Sequence, residues 1–196
     1  LGDVYKRQVG GVRRDLTDAM KKDIEEKLTG LRREIEEMAS VFLYDDTIQT
    51  RLEGVGILSM NDAMDLGCVG PMARASGVPN DYRMADDDGA YRDLGFHPVL
   101  EQAGDCLARA KVRIGELYQS IDIILGALQN LPEGAIAAPV RGVPPKGEFF
   151  TRVEQPRGEA IYYVKGNGTK NLERFRLRTP TNCNICLLYT SPSPRD

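Results

Sequence analysis

The chain has 196 residues, of which 41% are hydrophobic and 28% charged, and a formal net charge of −3. That size and apolar share suit one globular domain with its own core, and the mildly acidic balance excludes the broad basic field that nucleic acid demands. No apolar run approaches the roughly 20 residues that span a bilayer, so any membrane is expected to be reached through other subunits. The four cysteines argue against a disulfide framework.

In chain order, residues 1–8 (LGDVYKRQ) and 186–196 (CLLYTSPSPRD) show no periodicity. Both resemble translated adaptor sequence at the edges of metagenomic reading frames, and both are expected to stand outside the fold, leaving 9–185 as one domain piece. Gly10-Gly11-Val12-Arg13-Arg14-Asp15 leads into a helix predicted over Leu16–Phe42. There Leu16, Met20, Ile24, Leu28, Leu31, Ile35, Met38 and Phe42 recur at spacings of three and four, with charge on the other face. Asp15 or Thr17 can cap its start, and pairs such as Asp18 with Lys22 support it. The charged face reads either as solvated surface or as a docking face for another subunit.

Tyr44–Ile57 reads as a turn into a short extended piece, and Ser59 as the cap of a short helix over Met60–Leu66, closed by Gly67. Next come Gly70-Pro71-Met72-Ala73-Arg74-Ala75-Ser76-Gly77 and Asp81-Tyr82-Arg83, which set arginines among glycines. Such arginines either bring a fixed positive charge to a cofactor, or pair with the acidic run Asp86-Asp87-Asp88. His97, the only histidine, precedes Pro98 and reads as structural; no catalytic dyad can be built around it.

A second helix is predicted over Val99–Asn130 from the stripe Leu100, Ala103, Leu107, Ala110, Ile114, Leu117, Ile121, Ile124 and Leu128, stopped by Leu131-Pro132-Glu133-Gly134. Cys106, beside Leu107, is most simply a small core residue. Gly134–Gly147 reads as loop. Gly158–Lys165 and Leu172–Arg178 are rich in β-branched and aromatic residues, and Gly166-Asn167-Gly168 supplies the positive-φ positions of a tight connection. The two ends of such a hairpin lie side by side. Pro156-Arg157-Gly158 and Thr179-Pro180-Thr181 are therefore expected to face a common site, although more than twenty positions separate them. The fold class expected is α+β, mainly α: a bundle of long helices with a small antiparallel hairpin near the C-terminus.

The segments GPMARASG, PRGEAIYYV and RTPTN, in that order, resemble the large subunit of nickel-iron hydrogenases, most closely the membrane-bound energy-converting class. They also resemble its relative, the quinone-site large subunit of respiratory complex I. The resemblance covers 9–185. It implies that Arg157 lies over a nickel-iron centre, that Thr181 hydrogen-bonds a cyanide ligand on iron, and that Pro156 forms the backbone wall beside the arginine. A guanidinium is a fixed cation with a fork of donors that can assist hydrogen heterolysis, and a hydroxyl can donate to a small anionic ligand without adding charge. The plain alternative pairs Arg157 with Glu154 or Glu159 and lets Thr181 end a strand.

The sequence offers no metal ligand. In the hydrogenase family the ligands come as two C-x-x-C pairs near the subunit's ends, the second resembling D-P-C-x-x-C. Cys183-x-x-Cys186 lacks the Asp and Pro, so the chain reads as an internal fragment without its own metal ligands. The resemblance further implies an iron-sulfur cluster in a small partner subunit, membrane subunits in the same complex, and a peripheral place on the cytoplasmic face of the cell membrane. Under the complex I alternative the cofactor is a quinone, held by an upstream histidine and tyrosine. A third possibility is a non-catalytic assembly subunit built on the same helices and hairpin.

Overall fold

The computed structural model describes residues 7, 8, 10–85, 89–139 and 146–187. Two short strands, β1 (Arg7–Gln8) and β2 (Gly11–Val12), pair with each other, and Gly11 also bridges to Ala137. A Cβ on Gly11 would stand 2.3 Å from the carbonyl oxygen of Ile136, so only glycine permits this approach.

Helix α1 (Asp18–Tyr44) is capped by Thr17, whose hydroxyl accepts from the Met20 amide at 3.3 Å. Asp18 pairs with Lys21 at 3.5 Å rather than with Lys22, which reaches Glu26. Its apolar stripe packs on α5 (Cys106–Gln129), and Arg32 bonds Asp122 at 2.6 Å across the pair. Cover is incomplete. Ile35 and Ala39 are buried, whereas Met20, Leu31, Met38 and Phe42 remain exposed.

Two helix expectations need correction. The piece after α1 is not extended: Asp45 accepts from the amides of Thr47 and Ile48 and starts α2 (Asp46–Leu52). The second long helix begins at Cys106, not Val99. Gly104, at φ 65°, donates to Ala75 O and accepts from the Leu58 amide, which keeps the chain out of the helix there. Asp105 then caps α5, accepting from the Ala108 amide at 2.7 Å and from the Gly54 amide at 2.9 Å. Cys106 is half-buried, with its sulfur 3.5 Å from Arg109 Nη1.

Ser59 caps α3 (Met60–Asp65) as expected, and Gly67 follows at φ 64°. Next come α4 (Pro71–Arg74) and a 3-10 turn at Tyr82–Met84. Ala75 meets Ala108 and Val112 of α5 in a buried cluster; small residues on both sides let the segments approach closely.

The C-terminal sheet has three antiparallel strands, β3 (Lys146–Gln155), β4 (Gly158–Asn167) and β5 (Leu172–Arg178), in that order. The sequence pattern predicts only β4 and β5, and runs a loop to Gly147, two residues into β3. A bulge lies between Lys165 and Gly166, ahead of the turn. Strands β3 and β4 join through a two-residue turn, Pro156-Arg157, with Gln155 opposite Gly158. After β5 the chain enters α6 (Pro180–Asn184). Leu187, expected from the sequence to belong to the outlying tail, is 4% exposed and packs with Leu58, Ala63, Cys68 and Ala73. Residues 1–6 and 188–196 lie outside the described residues.

Candidate functional site

Two segments distant in sequence converge on Val69-Gly70. Gly70 sits at φ 71° and ψ −152°, and a Cβ there would lie 2.4 Å from Arg157 O and 2.5 Å from Gly158 Cα. The reverse also holds: a Cβ on Gly158, at φ 128°, would lie 2.8 Å from the Gly70 nitrogen. Backbone thus rests on backbone, and the Pro156-Arg157 turn is seated on the start of α4 with no side chain between them. From the other side, Asn184 of α6 donates through Nδ2 to Val69 O at 3.1 Å and accepts at Oδ1 from the Val69 amide at 3.0 Å. One dipeptide therefore fixes both the turn and α6.

The consequence is a groove of about 200 Å3 lined by Gln155, Pro156, Arg157, Thr179, Pro180 and Thr181. The three residues singled out from the sequence, Arg157, Pro156 and Thr181, line it together. Arg157 and Thr181 are exposed. Thr181 does not end a strand; it is the second residue of α6, after Pro180 at the first helical position. Arg157 forms no ion pair among the described residues, because both candidate partners are engaged elsewhere. Glu154 bonds Arg74 at 3.0 Å, and Glu159 bonds Arg152 at 3.3 Å. The groove accordingly presents an uncommitted cation and a hydroxyl.

Beside it lies an ionic network that the sequence does not announce. Arg74, 1% exposed, donates to Glu116 Oε1 from Nε and stands 2.8 Å from it through Nη2. Its Nη1 reaches Asp81 at 3.0 Å, Glu154 at 3.0 Å and the Asn80 carbonyl at 3.2 Å. Arg83 grips Asp81 through Nε at 2.9 Å and Nη2 at 2.7 Å, and its guanidinium lies 4.3 Å from the Phe96 ring centroid. Glu154 Oε2 also accepts from the Tyr82 amide at 3.2 Å. Burial pushes the Glu116 and Glu154 carboxyls up from their ordinary range, against the opposing pull of Arg74. The acidic run offered as partner to these arginines, 86–88, lies outside the described residues.

A cavity of about 520 Å3 is lined by Arg74, Arg83, Glu116 and Glu154 and extends to Gln155 and Pro156, which it shares with the groove. The network was hard to foresee, since its members come from α4, the 3-10 turn, α5 and β3. One signal was present: Glu116 sits between Ile114 and Leu117 of the apolar stripe, where a carboxylate requires a partner.

Among the described residues no group of three or more His, Cys, Asp or Glu could hold a metal ion. Cys183 and Cys68 are buried and Cys186 is exposed; burial, first of all, pushes the Cys68 thiol up. No helix among the described residues is long and apolar enough to cross a membrane. His97 is exposed, and its backbone carbonyl accepts from Gln119 Nε2.

Comparison with known proteins gives the architecture a place. The chain is 36% identical over 193 residues to the alpha subunit of the membrane-bound hydrogenase of Pyrococcus furiosus, covering 90% of this chain and 45% of that protein. It is 37% identical over 188 residues to the carbon monoxide-induced hydrogenase of Rhodospirillum rubrum, covering 93% of this chain and 51% of that one. The chain thus spans about half the length of these relatives. Among solved structures it is similar to a chain of the membrane-bound sulfane sulfur reductase, described as an archaeal respiratory membrane complex. There the TM-score is 0.84 at 30% identity, over 93% of this chain and 52% of that one. The family described as "Respiratory-chain NADH dehydrogenase, 49 Kd subunit" matches residues 4–143 and 139–191, and the chain belongs to that family.

Proposed function

We propose that the subunit carrying this chain is the catalytic large subunit of an energy-converting nickel-iron hydrogenase. In this reading it reduces protons or oxidises hydrogen and exchanges electrons with an iron-sulfur partner subunit. The observation that carries the proposal is the groove in which Arg157, free of both neighbouring carboxylates, meets Thr181 across Pro156 and Pro180. Its donors fit the outer wall of such a centre rather than its ligand shell. A guanidinium fork and a hydroxyl suit small anionic ligands, and a groove of about 200 Å3 has ample room for them. The nickel-iron centre, when bound, supplies the redox chemistry of hydrogen.

What the chain's own residues do follows from their seating. Gly70 and Gly158 lock the backbone of the turn, so Arg157 projects its charge from a fixed point of the chain, and such a cation is most effective where the complete assembly excludes water from it. Thr181 orients a ligand by donating one hydrogen bond, and Pro156 keeps that edge of the groove free of backbone N–H. The relatives named as membrane-bound support a place at the membrane, held there by partner subunits, and in this reading the face is the cytoplasmic one. The family description favours a second reading, in which the complete subunit forms a quinone site.

The test is to purify the complete assembly, quantify nickel, and measure hydrogen evolution from a low-potential electron donor alongside quinone reduction. Nickel with hydrogen evolution is the expected result. Quinone reduction without nickel selects the second reading, and neither activity leaves a structural assembly subunit.

A further inference from the structure

The network around Arg74 holds two guanidiniums, Arg74 and Arg83, against three carboxylates, Asp81, Glu116 and Glu154. It therefore carries one carboxylate more than its cations neutralise. The side chains are withdrawn from solvent: Arg74 is 1% exposed, Asp81 0%, Glu154 3%, and Glu116 and Arg83 15% each. An unbalanced buried carboxylate is costly, and it relieves that cost by keeping a proton. Which carboxylate does so follows from the bonds. Asp81 uses both oxygens on the two guanidiniums, and Glu154 uses one oxygen on Arg74 and the other on the Tyr82 amide. Glu116 places Oε1 alone on Arg74, and its Oε2 takes no hydrogen bond among the described residues.

Glu116 also lines the cavity of about 520 Å3 that reaches Pro156. Arg113 lines it too but is exposed, and Tyr91 is the remaining titratable neighbour. A cavity of this size with charged side chains in its wall has room for a chain of waters along them. We propose that it is a proton-holding chamber for the adjoining groove: Glu116 keeps a proton on its free carboxyl oxygen, and cavity water carries that proton to the Pro156-Arg157 turn. In the step the Oε2–H bond breaks, its electron pair stays on Glu116 as carboxylate beside Arg74, and the proton passes to water. A proton from bulk water then restores the acid. The upward shift of the Glu116 carboxyl agrees with this balance. The role rests on the redox reading above, which is what consumes the proton; Glu116 is a positioning residue that acts through water, without touching the reacting atoms.

The experiment uses the complete assembly with 13C-carboxyl glutamate. Infrared spectra across the pH range read the protonated carboxyl, and turnover against pH is measured in parallel for wild type, Glu116→Gln and Glu116→Asp. We expect a protonated-carboxyl band persisting above the ordinary glutamate range, abolished in Glu116→Gln and retained in Glu116→Asp. Turnover should fall about a hundredfold in Glu116→Gln with a changed pH profile, as for loss of a proton-transfer group, and be largely restored by aspartate. A wild-type assembly without such a band overturns the proposal, and this is readable even where Glu116→Gln fails to assemble. A glutamine variant with wild-type turnover and pH profile overturns it equally. A wild-type assembly that catalyses neither reaction refutes the redox reading instead, while the infrared titration still decides whether Glu116 holds the proton.

Discussion

Gly70→Ala tests how the candidate site is held. Gly70 lies at φ 71° and ψ −152°, a region essentially reserved for glycine, so an added Cβ costs about 1–3 kcal/mol in backbone strain alone. The new atom would also stand 2.4 Å from Arg157 O, 2.5 Å from Gly158 Cα and 2.7 Å from Arg157 C. All three belong to backbone, so no rotamer change relieves the overlap, and overpacking of this kind costs about 1–3 kcal/mol more. The sum, about 2–6 kcal/mol, falls on the contact that seats the arginine turn. Urea unfolding of the complete subunit should therefore show a lower midpoint with an unchanged slope. Gly30→Ala is the control, since nothing lies within 4 Å of its added Cβ in α1, and it should stabilise by up to about 1 kcal/mol. A Gly70→Ala protein within about 0.5 kcal/mol of wild type would refute the backbone-on-backbone seating.

Two further outcomes follow. Asn184→Ala removes both hydrogen bonds to Val69 and leaves that amide and carbonyl without these partners. It should cost about 1–3 kcal/mol by denaturant titration and loosen α6, read as faster amide exchange at Thr181 and Asn182. Glu154→Gln bears on pH. Its carboxyl is raised by burial above the ordinary 4.5, so the stability it contributes is present below 4.5 and lost as pH rises through the higher folded value. Relative to the glutamine variant, wild type should lose stability as pH climbs through that window; a difference independent of pH would contradict the assignment.

Much of the scaffold could be read from the sequence because single-segment signals carried it. The stripes of α1 and α5, the Ser59 cap and the β4-β5 pair each announce themselves within one stretch of chain. What escaped was decided by short or distant contacts. Helix α2 has seven residues and rests on the Asp45 cap, too brief for periodicity to show. Strand β3 begins in a Pro-Gly-rich region, although Phe149, Phe150, Thr151 and Val153 were a usable strand signal. The apolar pattern from Val99 onward continues the α5 stripe, but Gly104 is committed to Leu58 and Ala75 far away in sequence. The groove was predictable because a hairpin forces its ends together. The ionic network was not, because Arg74 draws carboxylates from three separate places in the chain, at positions 81, 116 and 154.

The central claim is that Arg157 acts as the fixed cation of the site, and Arg157→Lys in the complete assembly tests it most directly. Lysine keeps the charge but loses the planar fork and moves the reactive nitrogen. Because Arg157 is exposed and pairs with neither Glu154 nor Glu159, its replacement should leave stability within about 0.5 kcal/mol of wild type. Turnover, measured as hydrogen evolution with nickel quantified on the same sample, should fall about a hundred- to a thousandfold at full nickel loading. Turnover near wild type at full nickel loading would contradict the account and remove Arg157 from the site.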